Sequence, residues 1–177
     1  DAATGILVDE NVRGIRIDVL CKKLGVTKGS FYWHFEGRPA LLNAILERWH
    51  KRMTTNVIDR LGVEAGNPFD RLRALLALPR ATRSPAFARI EQSIRDWCRR
   101  DRQAQNAVEE VDKIRLAYIS DLFEQQGLEP DVAARRAYIA YAFLMGDSVL
   151  RNTVQPKDLD EIVEDAMNVL TSDRGQP

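Results

Sequence analysis

Lys28, Ser30, Tyr32, Trp33, His34 and Arg38 surround two phenylalanines, Phe31 and Phe35, that stand four residues apart. On a helix, that spacing turns both phenylalanines to one side and leaves the polar and aromatic side chains to face outward. The outward set has the chemistry of nucleic-acid recognition. Lys28 offers a cation to guanine acceptors or a phosphate, Ser30 donates or accepts, and Tyr32 lays its ring on a thymine methyl or gives its hydroxyl to a phosphate. Gly29 lets the backbone come close to the bases. The competing reading makes Tyr32 and Trp33 core aromatics and the cations a solvated face, but Phe31 and Phe35 already supply the inward side.

Such a set needs a short helix held out from a support, and the preceding residues predict one. Ile17, Leu20, Cys21 and Leu24 recur at helical spacing. Gly25 follows where a helix C-terminus accepts left-handed backbone, Val26 is an apolar plug, and Thr27 is placed to cap the next helix. The stretch IDVLCKKLGVTKGSFYWHF is therefore a helix-turn-helix, whose usual partner is the major groove of double-stranded DNA. Residues 1–10 read as the end of an earlier helix. Arg38-Pro39 opens a long fourth helix with an apolar stripe of Leu42, Ile45, Leu46, Trp49, Met53 and Val57 that runs to a C-cap at Gly62.

GVTKGSFYWHF followed by EGRPALLNAIL resembles the N-terminal domain of the tetracycline-repressor (TetR) family of bacterial transcriptional regulators. The resemblance covers about the first fifty residues. It implies that Lys28, Gly29, Ser30 and Tyr32 face bases and that Thr27, Trp33, His34 and Arg38 hold phosphates. Two positions depart from the family pattern. Arg16 stands where Ser or Thr usually caps the second helix, a loss of about 1 kcal/mol. Asp18 stands where many members carry Arg or another polar base reader, so the operator sequence is not carried over.

The rest of the chain reads as all-α, with linkers at 62–68 and 80–85, a helix capped by Asp70 and ending at Pro79, and further helices near 86–100, 104–126, 131–152 and 158–171. Gly127, Pro130 and Pro156 punctuate them, and the tail from Asp173 is expected to fray. The domain expectation is residues 1–51 for DNA binding and 52–177 for a helical ligand-binding and dimerisation domain. AYIAYAFLMG at 137–146 carries no charge, so its helix must be covered all round. Ala133, Ala137, Ala140 and Leu144, with Ile162 and Ala166 on the last helix, are the expected dimer face, half of an intersubunit four-helix bundle. The alternative is the central core helix of a monomer. The family resemblance also implies dimerisation through the last two helices and a pocket among the middle ones. Phe87, Trp97, Tyr118, Tyr141, Phe143 and Met145 are candidates to line it, with Asp112, Arg115 and Asp147 to orient a ligand. Each also reads as ordinary core or solvated charge.

Composition bounds the rest. The 177 residues are 45% hydrophobic and 29% charged, with net charge zero. Residues 1–51 carry eight Lys+Arg against six Asp+Glu, a local basic excess in a balanced chain. Cys21 and Cys98 are expected as free thiols in a reducing cytoplasm. There is no apolar run of transmembrane length, no metal-ligand spacing, no cofactor motif and no catalytic set, so enzymatic function is not expected. The chain starts at Asp1, so residues are expected ahead of it. The leading expectation is a homodimeric repressor of a palindromic operator, modulated by a small hydrophobic ligand. The alternative is a ligand-binding or interaction module with a helix-turn-helix that reads nothing.

Overall fold

The computed structural model describes residues 1–81, 86–150 and 159–172, and among them every regular element is helical. In chain order these are α1 (Ala2–Gly14), α2 (Ile17–Leu24), α3 (Lys28–His34), α4 (Arg38–His50), a π-helical turn (Lys51–Thr55), α5 (Asn56–Glu64), α6 (Pro68–Ala81), α7 (Ala86–Cys98), α8 (Arg102–Glu124), α9 (Pro130–Leu150) and α10 (Leu159–Thr171). The expectations for 82–85, for Pro156 and for the tail from Asp173 lie outside the described residues.

Helix ends follow local chemistry. Gly25 takes left-handed angles (φ 66°, ψ 29°), its N–H donates to the Lys22 carbonyl, and that of Val26 donates to the Cys21 carbonyl at 3.0 Å. This paired arrangement closes α2 and starts the turn. Thr27 then caps α3, its Oγ1 accepting from the Ser30 N–H at 3.1 Å. α2 has no side-chain cap, as Arg16 implied; the Arg16 guanidinium lies 3.8 Å from Asp18 instead. Gly127 (φ 89°) ends the turn after α8.

Several boundaries differ from the sequence reading. α6 is capped by Asn67, which accepts from the Asp70 N–H at 2.9 Å, while the Asp70 carboxylate accepts from the Asn67 amide at 2.7 Å. Asp70 is thus the third helical residue of a reciprocal cap rather than the cap itself. α6 continues through Pro79 to Ala81. α5 passes Gly62 and ends at Glu64, where Arg71 reaches back to the Ala65 carbonyl. Leu24 and Val26 are exposed, not inward: Leu24 is the last residue of α2, with no following turn to cover it.

The chain forms two compact units. The first combines Asp1–Thr55 with Ala86–Val111, and the second Asn56–Pro85 with Asp112–Pro177. In the first, Ile6, Leu7, Leu20, Phe31, Leu42, Ile45 and Trp49 share one core with Ile94, Trp97, Ala104, Val108 and Val111. In the second, Leu72, Leu76, Ile119, Leu122, Phe123, Met167 and Leu170 pack with the small residues of α9. Ala133, Ala137, Ala140 and Leu144 are all buried within this unit, where α9 packs on α6 and α10. The small stripe therefore admits helices of its own chain, which corrects its reading as the face that meets a second subunit.

One backbone site is strained. Asn11 interrupts α1 with φ 64° and ψ −178°, a region that glycine alone occupies at ease. Its side chain offsets part of the cost by accepting from the Arg13 N–H at 2.9 Å. Asn11→Gly is expected to raise stability by about 1 kcal/mol. A denaturant midpoint that falls on this substitution would contradict the assignment of strain.

Candidate nucleic-acid interface

α3 has seven residues, and Phe31 is its one buried side chain. Phe35, just past its end, stacks on Phe31 with centroids 5.4 Å apart. This pair anchors the helix, so the remaining surface is free. Lys28, Gly29, Ser30, Tyr32, Trp33 and His34 are all exposed. Trp33 is 82% exposed, its ring supported only at an edge by His34 at 4.7 Å. Tyr32 is 55% exposed and stands edge-on to Phe31, which fixes the direction of its ring. Thr27 is exposed too. Its oxygen is used by the cap, but its O–H stays available as a donor.

Lys22 and Lys23 in the last turn of α2 are two further exposed cations. The first unit carries 14 Lys+Arg against 11 Asp+Glu, so the positive excess lies in the unit that holds α3. Asp18 is exposed in the first turn of α2, where Arg16 stands near enough to offset its charge.

Arg38 is placed differently from the others. Its Nε donates to the Ile15 carbonyl at 2.7 Å and its Nη2 to the Val12 carbonyl at 2.6 Å. Those carbonyls belong to the turn between α1 and α2, so the guanidinium ties the start of α4 to the end of α1. The signal for this role was present in sequence only as a cation at a helix start, where a phosphate role is equally natural. Among the described residues no group of three or more His, Cys, Asp or Glu is placed to hold a metal ion. Both cysteines are free, and no helix among the described residues is long and apolar enough to cross a membrane.

The six candidate ligand residues divide between the units. Phe87 lies under the Arg52 guanidinium at 5.8 Å, and Trp97 is buried in the core of the first unit. Tyr118, Tyr141, Phe143 and Met145 belong to the second unit and pack in or against its core. There Tyr141 donates to Asp112 Oδ1 at 2.6 Å and accepts from Arg115 at 3.0 Å, which joins two of the three proposed polar groups. The third, Asp147, is buried on α9. Burial pushes the Tyr118 phenol above its usual pKa, Arg71 opposes this and Asp121 adds to it. A separate open groove of about 510 Å³ runs beside Glu64, Asp70, Arg73, Asp160 and Glu164, and includes none of the six candidates.

The two kinds of cation should separate in experiment. Lys28→Ala is expected to leave the melting temperature unchanged, to weaken DNA binding by about 1–3 kcal/mol and to relax the base preference at the position it meets. Arg38→Ala is expected to lower the melting temperature, because the carbonyls of Val12 and Ile15 lose a charged donor. If Arg38→Ala instead flattened the salt dependence without affecting melting, its role would be phosphate contact.

Residues 1–45 match the model of the family described as bacterial regulatory proteins, tetR family. The HTH-type transcriptional regulator SrpR of Pseudomonas putida is 34% identical over 64 residues, covering 36% of this chain and 30% of that relative. The chain thus spans less than half the length of the first curated relatives it matches. The class A tetracycline repressor of transposon 1721 in Escherichia coli is 25% identical over 154 residues, 80% of this chain and 71% of that protein. Among solved structures, the regulator FadR from Bacillus subtilis in complex with stearoyl-CoA superposes with a TM-score of 0.71 at 15% identity, covering 97% of this chain and 95% of the other. Over its first 45 residues the chain is thus similar to the tetR family, and its fold is shared with the regulator it superposes on.

Proposed function

We propose that the protein is a homodimeric, sequence-specific DNA-binding transcriptional regulator that represses from an approximately palindromic operator and responds to a small hydrophobic effector in the cytoplasm. The observation that carries this reading is α3: one buried phenylalanine and six outward residues able to meet bases and phosphates. Lys28, Gly29, Ser30 and Tyr32 are the base-facing set, and Thr27, Trp33 and His34 the phosphate-facing set. Arg38 acts by holding the head together. The functional division falls near residue 51, with DNA contact before it and effector binding and dimerisation after it.

The dimer face is drawn from the open sides of the last two helices. Tyr138, Ile139, Val149 and Leu150 on α9 and Val169 on α10 are all more than half exposed. Ile162, one heptad before Val169, is half-buried and extends the stripe, and Ala166 lies between them. An apolar surface of this kind calls for a partner, and a second copy supplies the identical stripe for an isologous contact. Two linked heads then bind two half-sites, which raises affinity through effective concentration. The effector reading rests on the part-buried set of Tyr141, Asp112 and Arg115 in the unit that also holds Phe143 and Met145, and on the stearoyl-CoA ligand of the Bacillus subtilis relative.

Two experiments test this. Selection from random duplex DNA should enrich a palindrome, and Tyr32→Ala should abolish that enrichment; no enrichment at moderate salt would sink the reading. Ile139→Asp should convert the protein to a monomer in sedimentation and weaken operator binding at least tenfold, since an unpaired charge would enter the interface. A dimer of unchanged stability would place the interface elsewhere.

A further inference from the structure

The last carbonyls of a helix have no amide further along to pair with. At the end of α10 they are met from α9. Arg136, in the second turn of α9, donates from Nη1 to the Leu170 carbonyl at 2.5 Å and from Nη2 to that of Ser172 at 2.7 Å. The same turn also closes on itself. The Thr171 hydroxyl donates to the Met167 carbonyl at 2.8 Å, the Ser172 hydroxyl to that of Val169 at 3.3 Å, and the Ser172 amide to that of Asn168 at 2.9 Å. A guanidinium suits this place, because it brings charged donors to the negative end of the helix dipole.

Both sides of this clamp lie next to the open apolar stripe in sequence. Tyr138 and Ile139, two and three residues after Arg136, are 68% and 54% exposed, and Val169, one residue before Leu170, is 72% exposed. Other contacts seat α10 as well: Met167 and Leu170 enter the core of the second unit, and Glu164 pairs with Arg73 of α6. Burial is non-directional, so Leu170 sets the depth of the last turn and leaves its rotation loosely held. The Glu164 pair lies more than a turn away and belongs to α6. Two bonds from a planar fork fix how the last turn is rotated and where it stands along α9. Without them, a partner that met Val169 would first have to order the turn that carries it.

We infer that Arg136 is a positioning residue for the dimer contact: by clamping the end of α10 to α9 it holds Val169 in line with Tyr138 and Ile139, so that the stripe meets a second copy as one preformed surface. This rests on the homodimer reading above. Arg136 needs no contact with the partner, since it acts through Val169. Arg136→Met keeps the aliphatic stem and removes both donors.

The test is a double-mutant cycle on the dimer dissociation constant, measured by sedimentation. With Arg136 present, Val169→Ala and Ile139→Ala are each expected to weaken the dimer about tenfold, because each removes apolar area from both copies. In Arg136→Met, Val169→Ala is expected to weaken it less than about threefold, while Ile139→Ala keeps its full effect. Hydrogen exchange supplies a second readout in the Ile139→Asp background, where no partner covers the helix. There Arg136→Met is expected to speed exchange about tenfold at the Thr171 and Ser172 amides and to leave α8 unchanged. The inference is overturned if Val169→Ala has the same effect with and without Arg136. It is also overturned if exchange at the end of α10 does not change, or if it rises throughout the unit as a folding defect would make it. Wild-type protein that sediments as a monomer, or a dimer indifferent to both alanine variants, would bring down the dimer face and this inference with it. A dimer that still responds to Ile139→Ala but shows no coupling between Arg136 and Val169 would bring down the inference alone.

Discussion

The reading head depends on the burial of a single ring. A seven-residue helix is too short to persist by its own hydrogen bonds, and α3 commits only Phe31 to the core. Burying that side chain is worth about 2–3 kcal/mol. The Thr27 cap and the stack on Phe35 add to it. Because so little of the helix is used for attachment, nearly all of it is left for recognition. The same economy makes the helix hostage to its support. Any shift of Leu20, Cys21 or Leu42 around Phe31 moves every outward side chain together.

That support extends beyond the helix-turn-helix segment. α7 and the first half of α8 belong to the same compact unit as α1–α4, and Ile94, Trp97, Ala104 and Val111 are among its most buried residues. A core of this kind joins residues more than eighty positions apart. Contacts between distant segments cost loop entropy that only tertiary packing repays, so no local pattern announces them. The apolar face of α7 could be read from its helical spacing. Which unit that face completes could not.

The same distinction explains what was legible elsewhere. The turn at Gly25, the cap at Thr27, the absence of a cap at Arg16 and the inward pair Phe31 and Phe35 are governed by neighbours a few residues away, and all were readable. Arg38 was not, because its two carbonyl partners lie 23 and 26 residues upstream. Pro79 was read as a stop, yet α6 runs on to Ala81. Small residues on α9 signalled close approach correctly but not by whom. Ala133, Ala137 and Ala140 meet helices of their own unit, and the larger Tyr138, Ile139 and Val149 are left outside. Small size records how near a neighbour comes and carries nothing about which chain it belongs to.

Each unit also carries a polar contact between two of its helices. In the first, Glu91 on α7 accepts from the Trp49 indole of α4 and from Arg95 a turn further along its own helix. In the second, Asp112 and Arg115 stand nearly a turn apart on α8 and engage the Tyr141 hydroxyl from α9. In the first unit the arginine donates to the acid within α7, whereas in the second both the acid and the arginine bond the Tyr141 hydroxyl across helices. The aromatic donor is sensitive to the register between helices, because indole and phenol each offer a single N–H or O–H. Smooth aliphatic faces permit many nearly equal packings, whereas one such contact per interface distinguishes among them.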